Sequence, residues 1–390
     1  MELDLIQSTL RQNGLDGWLF YDHHRRDPIA YRVLKINPPM CTRRWFYLIP
    51  AEGDPSKLIH RVERHNLDGL PGREIEYSTW KEQHAGLKDI LSGKKRIAMQ
   101  YSPLNNIPYV GLVDAGTIEL VRGSGVEVIS SADLVQLFEA RWSPAALASH
   151  LEAGKVVHAA VRAGFAAIRD SVRSGKEISE HDVQQEMRRV FDAGGVITDE
   201  GPVAAVNRNS ANPHYMPERE NSALIGVDDF VLLDVWGKMN RPGAVYFDIT
   251  WTGFVGAETP RRFADVFEIV KEARDAAVNF VQAALTNGRT IHGYEVDDVA
   301  REVITRRGFG PNFVHRTGHS IGEDVHANGA NIDNFETRDT RPIIPGICFS
   351  IEPGIYLEEF GVRSEINMFV EPAGARVTGE LQAAIVPILG

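Results

Sequence analysis

Apolar positions recur along this chain with two different periods, and the change from one to the other marks out its elements. Residues 2–14 carry apolar side chains at helical spacing and stop at Gly14, which predicts an amphipathic helix. GWLFY (17–21), WFYLIP (45–50), KLIHRV (57–62) and RIAMQY (96–101) are rich in β-branched and aromatic residues and predict strands. AEGDPS, between the second and third, has the composition of a hairpin loop. WKEQHAGLKDIL (80–91) returns to the helical period, and DLVQLFEARW (133–142) predicts a closing helix. Strands mixed with helices over this length predict an α/β domain at 1–143.

Ser143-Pro144 marks a boundary, and the second domain is expected over 144–390. Residues 145–174 form one Ala-rich helical pattern, with Val156, Val157, Ala160, Val161, Phe165 and Ile168 at helix spacing and Gly175 at its end. Ser179, followed three residues later by Asp182, predicts an N-cap for a helix running to Phe191 before Gly194-Gly195. GPVAAVNRNSANPHYMPERE (201–220) reads as loop. Helices are expected at 261–286 and 295–307, ended by Asn287-Gly288 and Gly308. The rest is Gly- and Pro-punctuated strand and loop, so this domain is α+β.

Between the helices lies FVLLDVWGKMNRPGAVYFDITWTG (230–253), which predicts a hairpin. Its second half alternates cleanly, with Val245, Phe247, Ile249 and Trp251 on one face and Tyr246, Asp248, Thr250 and Thr252 on the other. A turn centred on Arg241 sets Asp234 directly opposite Asp248, with Cβ atoms roughly 4.5–5.5 Å apart. Two carboxylates so placed in an apolar strand pair repel each other and are costly to bury. Either a cation sits between them, or one or both face water near the hairpin end.

Composition adds bounds rather than chemistry. With 390 residues, 43% hydrophobic and 24% charged, the chain suits a globular protein of two domains. Its 42 Lys and Arg against 53 Asp and Glu leave a net charge of −11, which argues against nucleic acid or an anionic membrane as partner. Cys41 and Cys348 fall in different predicted domains, so no disulfide framework is expected and the compartment reads as reducing. The N-terminus lacks a basic and apolar leader, and no run of about 18 apolar residues is present. The expected location is cytoplasmic. His23, His24, Arg25 and Arg26 form a basic cluster that reads as a solvated loop.

Three later segments place metal-competent side chains in apolar settings: HRTGHSIGEDVH (315–326) with His319, SIEPGIY (350–356) with Glu352, and GVRSEIN (361–367) with Glu365. Each has a plain structural alternative. His319 could serve the core, Glu352 could cap the turn at Pro353-Gly354, and Glu365 could pair with Arg363. His315 and His319 are four apart, but Gly318 intervenes and no Glu follows His315, so the helical zinc-protease signature is absent. Together with Asp234 and Asp248 they make four carboxylates and one imidazole, a charge of −4 that two divalent cations would balance. A mainly oxygen shell with one nitrogen suits Mn(II), Co(II) or Zn(II). Two such ions about 3.5–4 Å apart can share a hydroxide and polarise a carbonyl, which is hydrolytic machinery.

Taken in this order, the segments resemble the metallopeptidase family of prolidase, aminopeptidase P and methionine aminopeptidase, all of the pita-bread fold; creatinase shares that fold without metals. The motif resemblance covers roughly 150–390, and the α/β segment resembles prolidase N-terminal domains in size and position. It implies that Asp234, Asp248, His319, Glu352 and Glu365 bind two metal ions, manganese first among the candidates. It implies that His214 and His326 contact the substrate carbonyl and the tetrahedral centre, that His315 lines the proline pocket, and that Arg363 stands behind the ligands. Glu352 would relay a proton to the leaving nitrogen, making His214, His326 and Glu352 the catalytic set. The implied activity is an Xaa-Pro dipeptidase on small peptides, in a homodimer whose N-terminal domains reach the partner's active-site rim. The alternatives are an Xaa-Pro aminopeptidase acting on longer peptides, a metal-independent creatinase-like hydrolase, and a binding module on the same fold. The chain departs from the family pattern at one place. The connection between the two aspartates is longer by about a turn, Val245 stands three before Asp248, and Tyr246 is displaced by one.

Overall fold

The apolar runs expected as strands in the first part of the chain lie side by side in one sheet. The computed structural model describes residues 1–390, in two compact units, Met1–Glu139 and Ala140–Gly390. The first unit contains, in order, α1 (Leu3–Gln12), β1 (Gly17–Asp22), α2 (Pro28–Leu34), β2 (Trp45–Pro50), β3 (Ser56–His60), β4 (Arg73–Tyr77), α3 (Trp80–Ile90), β5 (Arg96–Met99), α4 (Ala115–Arg122), β6 (Glu127–Ser130) and α5 (Ala132–Val135). The six strands run β4-β3-β2-β1-β5-β6; β2 is antiparallel to both neighbours and the other contacts are parallel. Both faces are covered. Trp18, Phe20, Trp45 and Tyr47 enter one core and Leu19, Tyr21, Phe46 and Leu48 the other. That is why these strands read as continuous apolar runs.

Four elements here had no sequence signal. α2 and α4 have 7 and 8 residues, too few for a period to show. β4 and β6 are the two edge strands, and each buries one residue, Tyr77 and Val128. The expected helix over 133–142 needs correction. α5 ends at Val135, and a wider π turn over Gln136–Ala140 replaces the α-helix. Beyond it Trp142 is held by other segments, its N–H donating to Gly346 O at 2.7 Å and its indole N–H to Ile321 O at 3.1 Å.

The second unit contains α6 (Pro144–Ser174), α7 (Glu180–Gly194), β7 (Val196–Ile197), β8 (Val203–Val206), β9 (Phe230–Met239), β10 (Phe247–Phe254), α8 (Arg261–Thr286), α9 (Gly293–Arg306), β11 (Ser320–Ile321), β12 (Cys348–Ile351), β13 (Gly354–Tyr356), β14 (Gly361–Arg363), β15 (Ile366–Glu371), β16 (Gly374–Thr378) and β17 (Val386–Pro387). β17-β10-β9-β7 form one sheet, with β8 also on β9; β11-β12-β15-β16 form another, and β13-β14 a ribbon. α6 and α7 share a core with β9 and β10, while α8 and α9 share one with β12 and β15. Ser143 caps α6 through Ala146 N–H and Gly175 closes it at φ 68°, both at the positions the sequence marks. β8 lies inside the stretch read as loop. Its four residues are all buried and show no alternation. No helix is long and apolar enough to cross a membrane.

The hairpin register differs from expectation by two residues. Asp234 pairs with Thr250, and Asp248 with Trp236, so the turn centres on Pro242 rather than Arg241. The reason lies outside the hairpin. Residues just before β10 are drawn off the ladder: Val245 N–H donates to Ser149 Oγ of α6 at 3.2 Å, and Tyr246 N–H to Gly322 O at 2.9 Å. Asp234 and Asp248 keep the same face but stand on a diagonal, where neighbours are about 7–8 Å apart. That gap admits further side chains between the two carboxylates.

Candidate metal centre

Five segments of the second unit carry the predicted ligands. Asp234 and Asp248 come from the middle of β9 and the start of β10. His319 immediately precedes β11, Glu352 immediately follows β12, and Glu365 immediately precedes β15. The two sheets are joined there by backbone recognition. Asn367 accepts Asp248 N–H at 2.9 Å and donates to Asp248 O, while Glu365 N–H donates to Thr250 O at 3.3 Å. Ser350 of β12 sets two side chains at once. It accepts His319 N–H at 2.9 Å and donates to Glu352 Oε1 at 3.0 Å.

One ligand atom from each of Asp248, His319 and Glu365 lies within 4.8 Å of the others, and all three residues are buried. His319 Nε2 is 3.5 Å from Asp248 Oδ2 and 3.4 Å from Glu352 Oε1. Asp234 stands outside this group. It is ion-paired to Arg363 and lies 3.1 Å from the Thr250 hydroxyl. The Thr250 hydroxyl is also 2.8 Å from Glu365 Oε2 and accepts Arg363 Nε–H at 2.9 Å. Arg363 therefore ties Asp234, Thr250 and, at 3.8 Å, Glu352. Its Nη1–H donates to the Tyr356 hydroxyl at 3.0 Å.

The electrostatics fit a cation. Burial, followed by the charge of Asp234, pushes the Asp248 carboxyl well above the usual carboxylate range. Burial and then Asp248 do the same to Glu365, and burial raises Glu352 despite His319 and Arg363. Burial lowers His319, keeping its ring neutral. Its Nδ1 lies 3.1 Å from Ser320 O, so Nδ1–H donates there and the Nε2 lone pair points at the carboxylates. Asp248 Oδ1 and Glu365 Oε1 are buried without any hydrogen-bond partner. Oxygens orphaned beside an imidazole lone pair are acceptors facing acceptors, an arrangement that a divalent ion with oxygen and nitrogen ligands relieves. The donor set present thus suits such an ion.

The outer histidines occupy different settings. His326 meets His319 ring to ring, at 4.4 Å and 86°, and its pKa is pushed down to about 2 by His319 and then by burial. His214 is exposed and sits near enough to add to that shift. His315, lowered to about 3 chiefly by burial, has both ring nitrogens engaged, at 2.6 Å from Arg316 O and 2.8 Å from the Tyr356 hydroxyl. Tyr246, displaced in the sequence motif, is buried beneath the Lys238 ammonium at 4.9 Å. Sequence reasoning missed Thr250, Ser350, Tyr356 and Asn367. Thr250 carried a signal, since alternation placed it on the face of Asp248; the other three reveal their role only through contacts made across the sheets.

A model of metallopeptidase family M24 matches residues 148–372, more than half of the chain. An Xaa-Pro dipeptidase of Lactobacillus delbrueckii subsp. lactis is 32% identical over 220 residues, covering 55% of this chain and 53% of that relative, so the match spans about half the relative's length. Among solved structures, dipeptidase PepE from Mycobacterium ulcerans aligns at a TM-score of 0.72 and 22% identity, covering 99% of this chain and 96% of that one. The prolidase from Pyrococcus horikoshii OT3 aligns at 0.65 and 21%, covering 97% and 98%. The fold is the expected one, an α/β N-terminal domain followed by an α+β domain of the pita-bread type.

Proposed function

Because the chain belongs to metallopeptidase family M24, we propose that it is a metal-dependent Xaa-Pro dipeptidase, hydrolysing the amide bond that precedes proline. The observation that carries this reading is the buried convergence of Asp248, His319 and Glu365 within 4.8 Å, with Asp248 Oδ1 and Glu365 Oε1 unpartnered. Asp234, Asp248, His319, Glu352 and Glu365 would hold two divalent cations, Mn(II) before Co(II) or Zn(II). Such ions supply Lewis acidity toward a carbonyl and a nucleophile at neutral pH.

The chain's own residues do the rest. His326, whose ring meets that of His319, offers one N–H to the carbonyl oxygen as charge develops there, with His214 beside it. Glu352, held by Ser350, can carry a proton to the leaving nitrogen. The bond before proline has no N–H, so that nitrogen cannot be recognised as a donor and must be reached by an acid. His315 has both nitrogens tied to the protein and presents its ring, which suits contact with a pyrrolidine. Arg363 holds Asp234 and Glu352 in orientation. The substrate class follows the Xaa-Pro dipeptidase relatives, and the reading includes a homodimer in the cytoplasm.

The test is hydrolysis of an Xaa-Pro dipeptide and an Xaa-Pro-Yaa tripeptide by metal-loaded and chelator-treated protein, with metal content measured on the same samples. Dipeptide cleavage that disappears with the metal is expected. Preference for the tripeptide would make the enzyme an aminopeptidase, and activity indifferent to chelation would point to creatinase-like chemistry. Asp248→Ala and Glu365→Ala should abolish metal uptake, and His326→Ala should lower turnover with metal retained. Full activity in Asp248→Ala would remove the assignment.

A further inference from the structure

A cavity of about 990 Å³ opens at one edge of the six-stranded sheet, wholly within the first unit. Strand ends line it. Tyr21 is next to last in β1, His60 and Tyr77 end β3 and β4, and Arg44 directly precedes the antiparallel β2, whose start lies at that same edge. The sheet grows from β1 in both directions, toward β2 and toward β5. The loop after β1 and the start of α4, which follows β5, both line the cavity, through His23 and Arg26 and through Asp114 and Thr117. The crevice outside the carboxyl ends of strands, at such a reversal, is where open α/β sheets take ligands.

The charge of the cavity is unlike that of the chain. Net charge is −11, yet Arg26, Arg43 and Arg44 gather here and none has a carboxylate within ion-pairing distance. Of the two lining acids, Asp114 is spent on capping α4, accepting Thr117 N–H at 2.9 Å and its hydroxyl at 2.8 Å, while Glu119 stands exposed. The basic loop is held rather than free. The buried Asp22 carboxylate accepts the N–H groups of Arg25, Arg26 and Asp27 at 2.9, 2.7 and 3.0 Å. Aromatic edges complete the walls. His60 meets Tyr77 at 5.0 Å and Trp80 meets His84 at 5.3 Å, both edge to face, with Trp80 61% exposed at the rim. Guanidinium forks without a carboxylate partner match phosphate oxygens, Arg43 donating only to Thr42 O at 3.4 Å and to its hydroxyl at 3.0 Å, and the exposed indole at the rim, with the Lys81 ammonium 5.6 Å from its centroid, offers a planar surface for a ring.

We propose that this cavity binds a small phosphorylated ligand bearing a planar ring, of the nucleoside diphosphate class. The proposal uses none of the metal-centre residues and does not rest on the peptidase reading. Calorimetric titration of the full chain with ADP, pyrophosphate and adenosine tests it. ADP should bind saturably at one site, at least tenfold more tightly than either fragment. Arg44→Gln, and separately the exposed Arg26→Gln, should weaken ADP and pyrophosphate at least tenfold with unchanged melting temperature. Trp80→Ala should weaken ADP while leaving pyrophosphate as it was. The two arginine variants also separate this site from any phosphate taken up at the metal centre. No saturation by ADP at millimolar concentration, or binding indifferent to both arginine variants, overturns the proposal. Pyrophosphate binding as tightly as ADP overturns the ring.

Discussion

Thr250 joins three side chains of the candidate centre. Its hydroxyl lies 3.1 Å from Asp234 and 2.8 Å from Glu365, and accepts from Arg363. Its one proton serves one carboxylate at a time, so the other depends on a cation or on Arg363. Thr250→Val keeps the shape and removes these bonds. Metal affinity, followed by titration of metal-free protein, should fall about 10–100-fold. A second residue sets a pH limit. His150 is fully buried between Tyr246 O at 2.6 Å and the Thr378 hydroxyl at 2.7 Å, and burial lowers its pKa to about 4. The unfolded chain takes up a proton at His150 below about 6.5 and the folded chain does not, so stability is present above that pH and is lost as pH falls toward 4. The loss over the whole window is roughly 3 kcal/mol. Urea midpoints at pH 7 and pH 5 should differ more in the wild type than in His150→Gln. His150 was invisible in the sequence because its partners lie about a hundred and more positions away.

At the scale of elements, the candidate centre depends on strands approaching closer than most side chains allow. A Cβ at Gly318 would stand 2.0 Å from Ser350 O, backbone that cannot step aside. Gly318 also exchanges backbone hydrogen bonds with Ile332, at 3.1 and 3.0 Å. Gly318→Ala should therefore cost more than the roughly 1–3 kcal/mol typical of overpacking. The denaturant midpoint should fall, and Xaa-Pro hydrolysis should fall with it as His319 moves. Elements with their own signals were legible in the sequence. α8 spans Arg261–Thr286, where period and stop residues place it, and α6 takes its Ser143 cap and its Gly175 stop. The hairpin was legible as an element and misread in register, because Ser149 and Gly322 compete for the backbone that would otherwise pair across the turn. β8 was not legible, since a fully buried four-residue strand shows no alternation.

For the whole molecule, the two units should answer different ligands. Binding of Mn(II) should slow amide exchange at Asp248, His319, Glu352 and Glu365, whose N–H groups are held by Asn367, Ser350, Thr317 and Thr250. Residues 1–139 should be unaffected, as read by hydrogen exchange with mass spectrometry. Stabilisation should reach about 2.7 kcal/mol when metal stands at a hundred times its Kd. The sequence by itself determined the residue types of the candidate centre, the α/β then α+β order and most helix limits, because periodicity, caps and stop residues act over a few positions. Only the tertiary structure decided that Asp234 turns to Arg363, that Asp248, His319 and Glu365 close together, and that Arg26, Arg43 and Arg44 line one cavity at the edge of the first sheet. The first two outcomes rest on strand register and on contacts between distant segments, and the third on the antiparallel pairing of β1 with β2, none of which a local pattern encodes.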